Sequence, residues 1–369
     1  MTALFGRWLT PAPVNHTVWL AMAVTAPDIP ELIRRSIPSG DASVSWDSIL
    51  GPVQKFLTQV TEMLEGQVDL FEPEIAEHAR YALDNRGKQL RPALVGLSAG
   101  AVGRIRPEHV TIAVLVEMVH LATLVHDDIM DGAYVRRGRP TVGSRWGNHL
   151  AVLLGDCLFA HAMKVAATLP VDDVFRSLAL ATNSVCTGEI LQSNRRRRWD
   201  LSRADYLRMV ELKTAELFAV AAELGGRHAG ASPAEESALR HFALAAGTAY
   251  QVYDDCVDLF GSERVVGKSL GTDLATGKLT LPVIVLLERA SPTDSAEVVG
   301  WLNQWSPDYL VGLHGLLESH DAMSECAHLI GNLLQKARTA LEPLPQTGER
   351  KALESFTRFI ASQTALLAR

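Results

Sequence analysis

From Trp46 onward the chain alternates apolar and polar residues at helical spacing. In WDSILGPVQKFLTQVTEMLEG, Ile49, Val53, Leu57, Val60 and Leu64 recur so as to line one face of a helix. A second amphipathic helix is predicted over about Pro73 to Asn85. It is followed by RGKQLRPAL, where Gly87 and Pro92 interrupt the pattern and leave Lys88 and Arg91 at a turn. The run from Glu108 to Asp131 is apolar nearly all round, as expected of a central buried helix. Further helices are predicted over 147–168, 172–193, 203–224, 234–260, 275–289, 307–319, 321–341 and 349–367. No alternating strand pattern bounded by hairpin turns appears, so the fold class is all-α.

Residues 1 to 45 break this regularity. Pro11, Pro13, Pro27, Pro30 and Pro38 fall there with little periodicity, so the segment reads as an extension outside the core with a composition that favours disorder. Residues 46–369 then form one helical domain, and 47% hydrophobic residues suffice for one large core in a chain of 369. Only 6% are aromatic, which favours helix over strand. A net charge of −7 with no dominant basic face argues against nucleic-acid binding. Cys157, Cys186, Cys256 and Cys326 lie far apart and read as reduced, buried residues of a cytoplasmic protein. Arg7 followed by the apolar VWLAMAV has the outline of a secretory signal, but the run is at the short limit and Pro11, Pro13 and His16 crowd its front, so none is expected. Glu117 and His120 interrupt the best candidate for a transmembrane segment, so none is expected.

Chemistry enters at HLATLVHDDIMDGAYVRRGR. Asp127, Asp128 and Asp131 stand at i, i+1 and i+4, which puts Asp127 and Asp131 on one helix face with Asp128 beside them. Three acids so placed repel one another unless something positive lies between them. A hard divalent cation suits all-oxygen ligands, and Mg²⁺ commonly bridges one or two carboxylates to a substrate phosphate. A solvated acidic helix end is the alternative. Asp254, Asp255 and Asp258 in YQVYDDCVDLFG repeat the spacing 127 positions later (254 − 127), again at the end of an apolar run. Two such helices side by side bring the clusters face to face, able to clamp metal ions and a diphosphate.

With both clusters in place, the chain resembles the trans-polyprenyl diphosphate synthases, the all-α enzymes that elongate isoprenoid chains. The ordered match extends from about Gly87 to Pro282. The resemblance implies an isoprenoid synthase type I helical bundle around a central substrate cavity, with 46–369 as the prenyltransferase catalytic domain. The implied reaction is head-to-tail condensation of isopentenyl diphosphate with an allylic diphosphate, dependent on Mg²⁺, for which Mn²⁺ is an alternative. It makes Asp127, Asp128, Asp131, Asp254, Asp255 and Asp258 metal ligands. GKQLRP implicates Lys88 and Arg91, with His120, in binding isopentenyl diphosphate. Arg136 falls where the family contacts the allylic diphosphate, and Arg137 where it contacts that of isopentenyl diphosphate. Lys213 and Thr214 in ELKTAELF, Gln251, and Lys268 and Lys278 in GKSLGTDLATGKLTLPVI complete the substrate set, with Asp273 as a supporting acid. Lys213 and Lys268 join Asp127, Asp128, Asp131 and Asp254 as catalytic residues. A homodimer is expected by the same analogy. Arg86, Gln89 and Leu121 depart from residues common in the family.

Chain length in this family resembles a ruler reading, the growing tail running beside the first aspartate helix until a bulky side chain stops it. The residues below Asp127 on that face are Ala122, Met118 or Val119, and Leu115, with Phe159 and Met163 of a neighbouring helix as the floor. Ala122 is small, and Leu115 lies roughly 18 Å back at about 1.5 Å per residue, so a medium or long product is expected. Other side chains have plainer roles: His126 orients the helix end, Glu189 is structural, and Lys278 and Asp273 pair if they do not bind substrate. RRRR at 195–198 reads as a solvated loop, and Asp172 and Asp173 as helix-capping acids. Two other functions fit the fold: a class I terpene synthase, against which Lys88, Arg91 and Arg137 count, and a non-catalytic regulatory subunit, against which the complete clusters count.

Overall fold

The computed structural model describes residues 45–84, 87–169, 172–261 and 270–368. The N-terminal extension up to residue 44, Arg86 and Lys268 lie outside the described residues.

The chain is a bundle of helices: α1 Trp46–Leu50, α2 Gln54–Val68, α3 Pro73–Asp84, α4 Leu90–Val102, α5 Pro107–Met130, α6 Val142–Trp146, α7 Asn148–Ala166, α8 Asp172–Asn194 and α9 Arg203–Val210. There follow α10 Glu216–Ala229, α11 Pro233–Phe260, α12 Thr272–Ala275, α13 Leu281–Arg289, α14 Pro292–Asn303, α15 Leu310–Ser319, α16 Ala322–Ala340 and α17 Gly348–Leu367. The helix α5 is central, packed against α7, α4, α2 and α10, while α4 lies on α10 and α11 on α16. Its length follows from sequence. Pro107 occupies the first turn, where a missing N–H costs nothing, and His109 Nδ1 accepts from Arg106 N at 2.9 Å. The second long helix, α11, opens on a capping box in which Ser232 and Glu235 each satisfy the other's backbone N–H.

Several expectations change. The helix α4 was hidden because it is apolar on every side, so it offers no periodicity, and Arg91 and Pro92 sit in its first turn rather than in a turn between helices. The predicted 275–289 helix starts only at Leu281, because Gly277 takes φ 78° and breaks the chain before Thr280 and Pro282 begin a new turn. The helix α14 was not foreseen, and α10 runs on to Ala229. A small ribbon does occur: Val135–Arg136 (β1) pairs antiparallel with Arg139–Pro140 (β2). Arg137 and Gly138 form its turn at φ 52° and 74°. Two residues per strand are too few to show alternation.

Glu117 and His120 do not keep α5 from being long and apolar enough for a span, a test that the buried core helix of a soluble protein also passes. By length and composition α5 and α7 are both able to span a bilayer; the best window of α5 is 72% buried inside the bundle and that of α7 39%. The cysteines are not uniformly buried either: Cys256 and Cys326 are, Cys157 is half-buried and Cys186 is exposed.

Candidate active site

The ends of α5 and α11, the β1–β2 hairpin, the loop after α8, and the segment after α12 meet at one end of the bundle. Asp131 ends α5, its N–H bonded to the Asp127 carbonyl at 2.8 Å. Both of its carboxylate oxygens accept from cations, Oδ1 from Arg196 at 2.6 Å and Oδ2 from Lys278 at 2.7 Å. Asp128 Oδ1 accepts from Arg136 Nε at 2.7 Å, and Asp127 Oδ2 lies 3.8 Å from Lys213 Nζ. Lys213 is further engaged by Glu189, an ion pair, and by Gln192 Oε1 at 2.9 Å.

Burial drives the pKa of Asp127 and Asp128 up, against the pull of Lys213 on the first and Arg136 on the second. Burial pushes Asp131 the same way, but Lys278 and Arg196 together bring it below the usual carboxylate value. Like acids at one helix end thus persist because each has its own cation.

The second cluster is arranged differently. Asp254 is exposed. Asp255 is buried and fully engaged, Oδ2 accepting from Tyr206 Oη at 2.5 Å and Oδ1 from Gln251 Nε2 at 2.8 Å. Burial and the Asp273 carboxylate raise its pKa. Asp258, also buried, accepts from Thr272 Oγ1 at 2.6 Å and from the Asp273 N–H at 3.1 Å, so it fastens the start of α12 to the end of α11. The six carboxylates that spacing made equivalent therefore differ in their donors: these bonds to Asp255 and Asp258 come from neutral groups, those to Asp131 from cations. Lys278 joins the halves of the site, since its Nζ also lies 3.9 Å from Asp273. Among the described residues, no three His, Cys, Asp or Glu side chains stand close enough to hold an ion unaided.

Lys213 and Thr214 occupy a single π turn, Glu211–Ala215, between α9 and α10. Such turns insert a residue into a helix and commonly mark functional positions. Thr214 Oγ1 donates to Gln251 Oε1 at 3.1 Å, linking this turn through Gln251 to Asp255.

Beside the acids stands a crowd of bases. Burial, then Arg91, Arg137 and Arg136, hold the His120 pKa well below its ordinary value, so the imidazole is neutral. Burial and Arg137 lower Lys88, with Asp254 opposing them. Arg91 is lowered to about 10, chiefly by burial, although Glu117 supports its charge. Its Nε is buried without a hydrogen-bond partner, and its guanidinium lies 4.8 Å over the Phe218 ring. Lys88 lies 4.9 Å over Trp46. A Cβ on Gly87 would stand 2.5 Å from Arg137 Nη2, so the guanidinium lies directly against this glycine. Gln89, one of the departures, takes φ 49° and donates to Thr61 at 3.1 Å.

The four tail-facing candidates of α5, Leu115, Met118, Val119 and Ala122, are all buried, while Phe159 and Met163 are half-buried on the adjacent α7. His126 Nε2 meets the Val152 carbonyl at 3.1 Å, securing the end of α5 to α7. Asp173 pairs with Arg227 at 3.4 Å and His228 at 3.3 Å instead of merely capping α8. Reasoning from sequence missed Gln192 and Tyr206, and it read Arg196 as part of a solvated loop. The signal for Gln192 was present, because Glu189 and Gln192 share a face of α8 at i, i+3.

Known proteins resemble the chain over most of its length. The family model described as polyprenyl synthetase matches residues 72–308. The chain is 34% identical over 300 residues to the octaprenyl diphosphate synthase of Escherichia coli, covering 80% of this chain and 90% of that one. It is 31% identical to a short chain isoprenyl diphosphate synthase of Methanothermobacter thermautotrophicus, covering 85% and 98%. A crystal structure of a polyprenyl synthase from Caulobacter crescentus, complexed with calcium and isoprenyl diphosphate, superposes with a TM-score of 0.82 at 31% identity, covering 88% and 99%. The paired aspartate helices, the basic crowd beside them and these similarities identify the chain as a member of the polyprenyl synthetase family.

Proposed function

We propose that this protein is a metal-dependent polyprenyl diphosphate synthase that adds isopentenyl diphosphate head-to-tail to an allylic diphosphate, giving a medium or long chain. The observation that carries the reading is the mutually repelling set of half-buried Lys88, Arg91 and Arg136 with the exposed Arg137, facing paired carboxylate clusters. A folded chain tolerates such a set where a polyanion is to be bound. The donor chemistry of Asp127, Asp128, Asp131, Asp254, Asp255 and Asp258 fits Mg²⁺ or Mn²⁺. All donors are carboxylate oxygens, the type taken by a hard ion that keeps waters and shares itself with phosphate. Asp255 and Asp258 also hold the backbone that presents Asp254. When bound, the metal would supply Lewis-acid neutralisation of charge on the departing diphosphate.

The chain's own residues do the rest. Arg136, Lys213 and Lys278 bind the allylic diphosphate, a role that Lys268 shares. Lys88, Arg91, His120 and Arg137 hold isopentenyl diphosphate, whose binding a terpene synthase does not require. Thr214 and Gln251 brace the two halves. The apolar wall of α5 excludes water from the electron-poor allylic carbon once its carbon–oxygen bond opens. The tail then lies along Ala122, Met118 or Val119 towards Leu115 and Phe159, and small Ala122 favours a product beyond the shortest.

Residues 46–369 act as the catalytic domain and residues 1–45 as an extension to it. A homodimer is supported by apolar side chains exposed on neighbouring helices, Val152 and Leu153 on α7 and Phe175, Leu180 and Ile190 on α8. Four free thiols accord with a cytoplasmic enzyme.

The test is to incubate purified protein and Mg²⁺ with labelled isopentenyl diphosphate and, separately, dimethylallyl, geranyl, farnesyl or geranylgeranyl diphosphate, and to size the dephosphorylated products. A ladder ending at one length supports the proposal. A hydrocarbon without label favours a terpene synthase, and no product with any primer favours a non-catalytic subunit.

A further inference from the structure

Four consecutive arginines, Arg195 to Arg198, follow α8, and their side chains do different things. Arg195 reaches Asp205 at 3.9 Å, and Arg198 forms a fork with Asp200 at 3.3 and 3.2 Å on the surface. Arg197 takes φ 58° and donates its backbone N–H to the Gly277 carbonyl at 2.8 Å. Gly277, at φ 78°, lies so close that a Cβ would stand 2.8 Å from Arg197 Cγ. This docking lays the arginine loop on the segment that carries Lys278. Arg196 alone of the four is seen to turn inward, onto Asp131.

The result is a carboxylate with both oxygens occupied, by Arg196 and by Lys278. In the proposed reaction Asp131 is a metal ligand, and a divalent ion brought to that carboxylate competes electrostatically with both cations. Lys278 is the more confined, its side chain 9% exposed and also near Asp273; that of Arg196 is 22% exposed and hangs from a loop. A guanidinium released there stands at the mouth of the site beside Lys213 and Lys278, the residues assigned to the allylic diphosphate. Its planar fork matches phosphate oxygens and needs an anion to replace the one it has lost.

We propose that Arg196 is a binding residue for the allylic diphosphate, parked on Asp131 until metal and substrate arrive, when it passes from carboxylate to phosphate. The inference rests on the reading of Asp131 as a metal ligand. Arg196 thereby has two opposed effects: it competes with the metal for Asp131, and it grips the diphosphate once the metal is in place.

Opposed effects give a signature that a loop with a purely structural role does not. The full-length wild type, Arg196→Gln and Arg198→Gln are titrated calorimetrically with farnesyl thiolodiphosphate, an unreactive analogue, across a series of Mg²⁺ concentrations. In Arg196→Gln the Kd at saturating Mg²⁺ is expected to rise about tenfold or more, while the Mg²⁺ concentration giving half-maximal binding falls. Arg198→Gln is expected to match the wild type, and thermal midpoints of all three to agree. An unchanged Kd in Arg196→Gln, equal weakening in both variants, or loss of Mg²⁺ and diphosphate binding together overturns the proposal. Failure of the wild type to bind the analogue with Mg²⁺ removes the underlying reading as well, so the two failures are distinct.

Discussion

Replacing Arg91 by Met is expected to stabilise the ligand-free protein while weakening its hold on isopentenyl diphosphate. Burial first, then the like charge of Arg137, lowers the Arg91 pKa from its ordinary value to about 10, in spite of Glu117, Tyr250 and Asp127. At about 1.36 kcal/mol per pKa unit, the folded state carries roughly 3 kcal/mol of penalty for this charge. The sign follows from linkage. The folded chain holds the proton less tightly than the unfolded chain, so the penalty is complete below pH about 10 and fades as the pH rises from there towards the ordinary arginine value. Methionine fills similar space along the stem but gives up the stacking on Phe218, worth about 1 kcal/mol. Buried Glu117 keeps the charge of Arg137 near it. The balance is a gain of about 1–2 kcal/mol, or a few degrees in Tm, at neutral pH. Loss of a charged hydrogen-bond donor to the diphosphate costs about 1.5–3 kcal/mol, so KM for isopentenyl diphosphate should rise at least about tenfold. Calorimetric melting without ligand and steady-state kinetics measure the two effects. A lower Tm with an unchanged KM would refute the reasoning, because Arg91 would then be a structural cation.

Other perturbations follow from the same geometry. Asp127→Ala and Asp254→Ala should each cut turnover by about a hundredfold or more with the helical circular dichroism unchanged; near-normal turnover in both would remove the two-cluster clamp. Ala122→Phe should shorten the product, at about 1–3 kcal/mol of overpacking cost at a fully buried position, and an unchanged product would mean that the tail takes another path. Leu153→Glu combined with Leu180→Glu should shift the sedimentation coefficient from dimer to monomer without lowering helical content; an unaffected dimer would place the interface elsewhere.

The helical class and the two acid clusters were legible because each rests on local spacing: α5 and α11 are long, capped and apolar, and Asp127 to Asp131 and Asp254 to Asp258 lie within single turns. What spacing conceals is the partner each side chain finds across the fold. Asp255 and Asp258 look like Asp128 and Asp131 in sequence. Only packing shows that Tyr206, Gln251, Thr272 and the Asp273 N–H claim their oxygens. Arg196 was lost in a run of like charges, since nothing local distinguishes it from Arg195 or Arg198. The backbone bond from Arg197 to Gly277, eighty residues away in sequence (277 − 197), sets its direction. The helix α4 was missed for the converse reason: its whole circumference is buried, so period carries no signal.

The central claim is that one site binds two diphosphates and joins their carbon chains. The most direct measurement follows diphosphate release and label incorporation together, with labelled isopentenyl diphosphate, an allylic primer and Mg²⁺ in one reaction. The account predicts one diphosphate released for each isopentenyl unit incorporated, and negligible release when either substrate is omitted. Release from the allylic primer alone, with no label entering the product, would contradict it.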